Sequence, residues 1–208
     1  MHKPGRTLAR LFLIGLVIAG PRAAWCYGVH ADPEIREMIA RFDRAKADPA
    51  TVDAAFDFAR HVAASRPADP IPLVYEGSLA ALMARDGWLP WIRLANLHRG
   101  LDLMGQAADI AARAGTPASQ RLEVEMVRGI TCAQIPTLFG QGSVARRDLA
   151  RAYRSPGFPT MSPGDRATAL AWLAVLAHRA GDDSASARYL RAARSVSPGV
   201  VATIWSRR

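Results

Sequence analysis

Cysteine is scarce in this sequence: two residues in 208, Cys26 and Cys132, and no Cys-x-x-Cys pair to hold a metal or cycle a disulfide. No segment alternates apolar and polar residues as a half-buried strand does, which removes the sheet-based folds. There is no Gly-rich phosphate loop and no nucleophile elbow. Aromatic residues make up only 7%. Histidine is rare as well. Beyond the leader described below stand His61, His98 and His178, none at metal-ligand spacing from another His, Cys or carboxylate. His61 beside Arg60 and His98 beside Arg99 read as helix-surface residues. Asp102 and Asp109 lie two turns apart and read as ordinary surface acids. Together these absences point away from an enzyme; no catalytic residue, metal or cofactor is expected.

What the chain does have is helix-forming sequence. Half of its residues are hydrophobic and 22% are charged, enough apolar surface for one normal core. Ala and Arg recur throughout, and Ala loses no side-chain entropy in a helix while letting helices approach closely.

The net charge of +9 is partly a property of the first residues. Residues 1–31 hold Lys3, Arg6, Arg10 and Arg22 and no acid; without these four the chain has 23 basic against 18 acidic residues, about +5. That is too dispersed for a nucleic-acid footprint, so no nucleic acid is expected. The same residues read as a secretory leader, with a basic start followed by an apolar run over Leu11–Gly20. A run of about ten residues falls short of the roughly 20 that span a bilayer. A signal peptide over residues 1–31 is expected, with a periplasmic or secreted product; the alternative is an N-terminal membrane anchor. Val29-His30-Ala31 satisfies the small-residue rule for a cut before Asp32, whereas a cut after Ala24 places Arg22 where a small residue belongs. A cut after Ala31 removes Cys26 and leaves Cys132 without a disulfide partner. Among Ile130, Thr131 and Ala133, Cys132 reads as a buried small hydrophobe.

Residues 32–208 are expected to form a single helical domain. Asp32-Pro33, Asp48-Pro49, Asp69-Pro70, Thr116-Pro117 and Ser162-Pro163 each place a capping oxygen directly before a Pro suited to the first helical position. Gly87, Gly115 and Gly181 follow helical runs, where Gly can take the left-handed conformation. Apolar residues at three- and four-residue steps predict helices over 33–46, 49–65, 71–85, 91–114 and 117–132. Residues 133–163, rich in Pro and Gly, predict loops around one helix at 143–153.

Residues 167–198 carry the sharpest pattern. Leu170, Leu173, Ala174 and Ala177 share one helix face, Gly181-Asp182 makes a turn, and Ser186, Leu190 and Ala193 follow at small, large and small positions before Pro198. From the turn Gly to that Pro is 17 positions. This segment resembles a tetratricopeptide repeat, although Ser186 replaces the usual Ala and Leu190 the usual aromatic. Tyr75-Glu76-Gly77 and Val127-Arg128-Gly129 are similar to the start of the same unit, and the stretch between, with Trp88-Leu89-Pro90-Trp91, resembles exported bacterial proteins of this repeat-like type. The resemblance implies an all-α, right-handed superhelical stack of antiparallel helix pairs, an α-solenoid of about seven to eight helices. One pair cannot bury its own apolar face, so neighbours must stack on it.

Two functions are open on this reading. The first is an exported protein–protein interaction module, an adaptor or accessory subunit of an envelope complex, whose protein or peptide partner meets Tyr75, Arg128 and their neighbours. The second is a periplasmic small-ligand binder, or an accessory protein of an enzyme or transporter, with a pocket near Trp88, Trp91 and the 133–142 loop. Trp88, Trp91 and Phe139 join Tyr75 and Arg128 as candidate partner-binding residues. Arg188, Arg191 and Arg194 step by three along the last predicted helix, a solvated face or a contact for an anionic membrane surface.

Overall fold

The computed structural model describes residues 30–206, and the apolar run of the leader lies outside them. The described residues hold nine α-helices and no strand: α1 (Pro33–Ala47), α2 (Val52–Ser65), α3 (Pro70–Asp86), α4 (Pro90–Ala111), α5 (Ala118–Gln134), α6 (Gly142–Arg154), α7 (Pro163–Arg179), α8 (Asp183–Val196) and α9 (Pro198–Trp205). The all-helical class is as the periodicity indicates, but the count is higher than seven to eight. The extra helix is α9. Pro198, read as the end of the preceding unit, sits in the first turn of a new helix, where its missing N–H costs nothing.

The capping signals work as chemistry requires, with one exception. Asp32 accepts from the backbone N–H groups of Glu34 and Ile35, Asp69 from Ile71 and Ser162 from Asp165. Asp48 caps Ala50 and opens a short 3-10 turn that leads into α2. Thr116 differs: its hydroxyl turns back to the carbonyl of Ile110, and α5 starts without a side-chain cap. Gly115 and Gly181 adopt positive φ, +88° and +78°. Gly87 does not, at φ −63°; a Cβ there would be a tight fit, 3.1 Å from Arg93 Cγ and 3.2 Å from the Met83 carbonyl.

Two helices form the centre. α3 contacts α1, α2, α4 and α5, and α7 contacts α5, α6, α8 and α9. Residues 167–177 of α7 are buried without interruption, as an Ala-rich helix apolar all round should be. α4 runs back along α3 with the backbones in direct contact. A Cβ on Gly77 would meet the Gly100 carbonyl at 2.8 Å, and one on Gly100 would meet the Gly77 carbonyl at 2.6 Å. Gly129 of α5 similarly admits Leu149 of α6, whose Cγ lies 2.8 Å from where a Cβ would stand. In α7 the same role falls to Ala174, whose carbonyl accepts the buried Ser186 hydroxyl of α8 at 2.9 Å. Small residues at these points set the spacing of each helix pair.

Candidate functional site

The C-terminal half of α3, the first turns of α4 and the C-terminal half of α5 face one another. The space between them is a cavity of about 320 Å³, inside the roughly 300–1,000 Å³ range of small-ligand sites. α3 supplies Ser78, Ala81, Leu82, Ala84 and Arg85; α4 supplies Pro90, Arg93, Leu94 and Leu97. α5 and the residues after it add Val127, Ile130, Thr131, Gln134, Ile135, Pro136, Leu138 and Phe139. Phe42 and Lys46 of α1 complete the wall. The Pro–Gly-rich sequence after α5 explains the last group: Pro136 stops the helix, a 3-10 turn over Thr137–Phe139 follows, and Gly140 at φ +70° reverses the chain. Leu138 and Phe139 are thereby held over the opening.

The polar content of the wall is small and mostly satisfied. The Ser78 and Thr131 hydroxyls bond to each other at 3.0 Å. Gln134 donates to the carbonyl of Ile130 in its own helix. Lys46 lies 2.6 Å from Asp43 and 4.9 Å over the ring of Phe42; burial pulls its ammonium down to about 8, against the lift from Asp43. Arg85 pairs with Asp86 through two guanidinium nitrogens. Arg93 donates its Nε–H to the Ala84 carbonyl at 3.0 Å.

Of the large apolar side chains that the described residues expose, Leu94 and Leu138 line the cavity, and Trp88, Trp91 and Ile92 are close in sequence to its lining residue Pro90. Trp88 is 84% exposed, Leu138 74% and Trp91 66%, with Leu94 and Ile92 at 45% and 42%. Trp88, on the α3–α4 connection, and Trp91, in the first turn of α4, thus stand in solvent instead of joining the core, and neither lines the cavity. Of the five candidate residues, only Phe139 does.

Tyr75 and Arg128 are not surface residues of a groove. Tyr75 is fully buried because it belongs to α3, the helix enclosed by four others. Its ring packs edge-on against Phe42 with centroids 5.0 Å apart, and its hydroxyl donates to Glu123 Oε1 at 3.0 Å. Glu123, itself 4% exposed, receives His30 Nε2 on its other oxygen at 2.8 Å. Burial raises the Glu123 carboxyl above its ordinary value, opposed by the bonds from His30 and Tyr75. Arg128 is fixed by a bidentate pair with Asp148, at 2.5 and 2.9 Å, and Asp148 is fully buried. Both residues hold helices together, α3 to α5 and α5 to α6.

The remaining residues fall where the sequence suggests. Burial pushes the Cys132 thiol up to about 12, a poor nucleophile. His61, His98, Asp102 and Asp109 are exposed, as are Arg188, Arg191 and Arg194. No cluster of three metal-ligating side chains occurs among the described residues. None of their helices is long and apolar enough to cross a membrane.

The described residues form an all-helical fold with a mainly apolar cavity between α3, α4 and α5. No family model, curated protein or solved structure matches the chain.

Proposed function

We propose that this chain is a non-catalytic binding protein that holds a small apolar-bodied ligand in the cavity between α3, α4 and α5. The observation that carries the reading is the cavity wall itself: its size suits a small ligand, it is built mainly of aliphatic carbons, and its hydroxyls already bond to each other. No His, Cys or carboxylate lines it, which favours binding over catalysis. The proposal includes export to the periplasm or beyond, resting on the character of residues 1–31 alone. It also reads the helices as a tetratricopeptide-like superhelical stack, supported by the close contacts at Gly77, Gly129 and Ala174. Filling the recess by Ala81→Phe should abolish binding of an environment-sensitive apolar dye while leaving the helical circular dichroism unchanged. Undiminished dye binding by the folded variant would move the site elsewhere.

A second reading has its own observation. Trp88 and Trp91 expose large aromatic surface outside the recess, where aromatic side chains commonly anchor protein partners. On this reading the chain is an adaptor or accessory subunit of an envelope complex. Recovery of the same partner from envelope extract by wild type and by Trp88→Ser/Trp91→Ser would remove it.

A further inference from the structure

The cavity wall is charged with one sign. Lys46, Arg85 and Arg93 line it, and no carboxylate does. Two of these cations are neutralised from outside the wall, Lys46 by Asp43 and Arg85 by Asp86. Arg93 has no carboxylate partner among the described residues; of its guanidinium donors, only Nε–H is engaged, on the Ala84 carbonyl. It is also in an unusual place for a cation, the first turn of the 22-residue helix α4. Helix N-termini carry partial positive charge and normally attract acids, yet this first turn holds none and its N-cap, Leu89, contributes no side-chain bond. The Arg93 Nε–H is held on the last turn of α3, where helix carbonyls favour a cation, while its two terminal nitrogens face no carboxylate beside the apolar recess.

We infer that the ligand is a single-chain amphipathic carboxylate, its tail in the recess and its headgroup on Arg93. This rests on the cavity reading above and adds the charge of the ligand to it. The guanidinium fork matches a carboxylate in a bidentate arrangement, and one free cation matches one anion. Leu82, Leu97, Ile130 and Ile135 offer the tail only hydrocarbon. A ligand polar at both ends would strip water from a second polar group, for which the bonded Ser78–Thr131 pair leaves little to offer.

The test is calorimetric titration of the full chain with dodecanoate and with uncharged 1-dodecanol, below their aggregation limits. Wild type should bind dodecanoate about ten-fold or more tightly than dodecanol, the scale of a charge-assisted hydrogen-bonded pair. Arg93→Gln should lose that preference while keeping its affinity for dodecanol, and Arg93→Lys should keep part of it. Equal affinity of wild type for the two probes would overturn the carboxylate inference and leave the cavity reading standing. Binding of neither probe by folded wild type would overturn both. The wild-type comparison decides the matter even if Arg93→Gln does not fold.

Discussion

His30 and Glu123 lie 93 residues apart in sequence, and the His30 Nε2 atom sits 2.8 Å from Glu123 Oε2. The imidazole is one of two side chains satisfying a carboxylate buried between α3 and α5, the other being Tyr75. Arg36 adds to the anchorage by donating to the carbonyls of His30 and Ala31. The segment just before α1 is thus part of the packed structure. A cut after Ala31, the position favoured by the small-residue rule, would remove the imidazole and leave Glu123 with Tyr75. We therefore expect a chain starting at Asp32 to melt several degrees below one starting at Trp25, and His30→Ala to lose most of the same stability, about 1–3 kcal/mol for a buried acceptor deprived of a partner. Equal melting of the two chains would show that the contact contributes nothing.

Glu123 also sets a pH dependence of unusual sign. Burial raises its carboxyl, opposed by His30 and Tyr75 and reinforced by Asp69. The folded state then holds a proton that the unfolded chain has already released. Between the ordinary Glu value, about 4.3, and the raised folded value, this group's contribution to stability falls as pH rises. Glu123→Gln, which cannot ionise, should gain on wild type in urea midpoint as pH rises through that window. A constant difference across the window would contradict this.

The contact of α3 with α4 leaves no room for a methyl group. Gly100→Ala would place a Cβ 2.6 Å from the Gly77 carbonyl and 3.0 Å from the backbone nitrogen of Ala81, atoms that cannot swing aside. We expect a loss of roughly 1–3 kcal/mol or more, as overpacking of a tight interior gives. Gly105→Ala, in the same helix with open space around its Cβ position, serves as the control and should be neutral or slightly stabilising.

Asp148 and Arg128 form the strongest polar tie between α5 and α6. Asp148→Asn removes the charge opposite a guanidinium that is 13% exposed, and breaking such a pair from one side costs about 3–5 kcal/mol. The double variant Arg128→Met/Asp148→Leu should recover much of that loss. If the single variants are as stable as wild type, Arg128 is available for other contacts after all.

The all-helical class is legible in the sequence because its local signals are strong. Asp32, Asp69 and Ser162 cap the helices their Pro neighbours announce, and apolar spacing marks nearly every helix. The ninth helix was hidden because Ser197-Pro198 reads equally as a stop and a start. The site was less legible. Tyr75 and Arg128 were marked by a repeat-like pattern, but that pattern describes packing, and both are engaged by Glu123 and Asp148 from other helices. The irregular 133–142 stretch supplies Ile135, Pro136, Leu138 and Phe139 to the cavity wall, whereas Trp88 and Trp91 do not line it. Leu94 and Leu97 mark only the apolar spacing of the fourth predicted helix and Arg93 carries no signal of its own; the packing of α3, α4 and α5 brings them to one recess.

The most direct test of the account is an NMR titration of methyl-labelled protein with 1-dodecanol, which probes the recess without relying on charge. Methyl signals of Leu94, Leu97, Ile130 and Leu138, all on the cavity wall, should shift and saturate together, while Val62 and Val175, buried elsewhere, stay in place. Shifts scattered over the surface, or none at saturating ligand, would contradict the assignment of the cavity as the binding site.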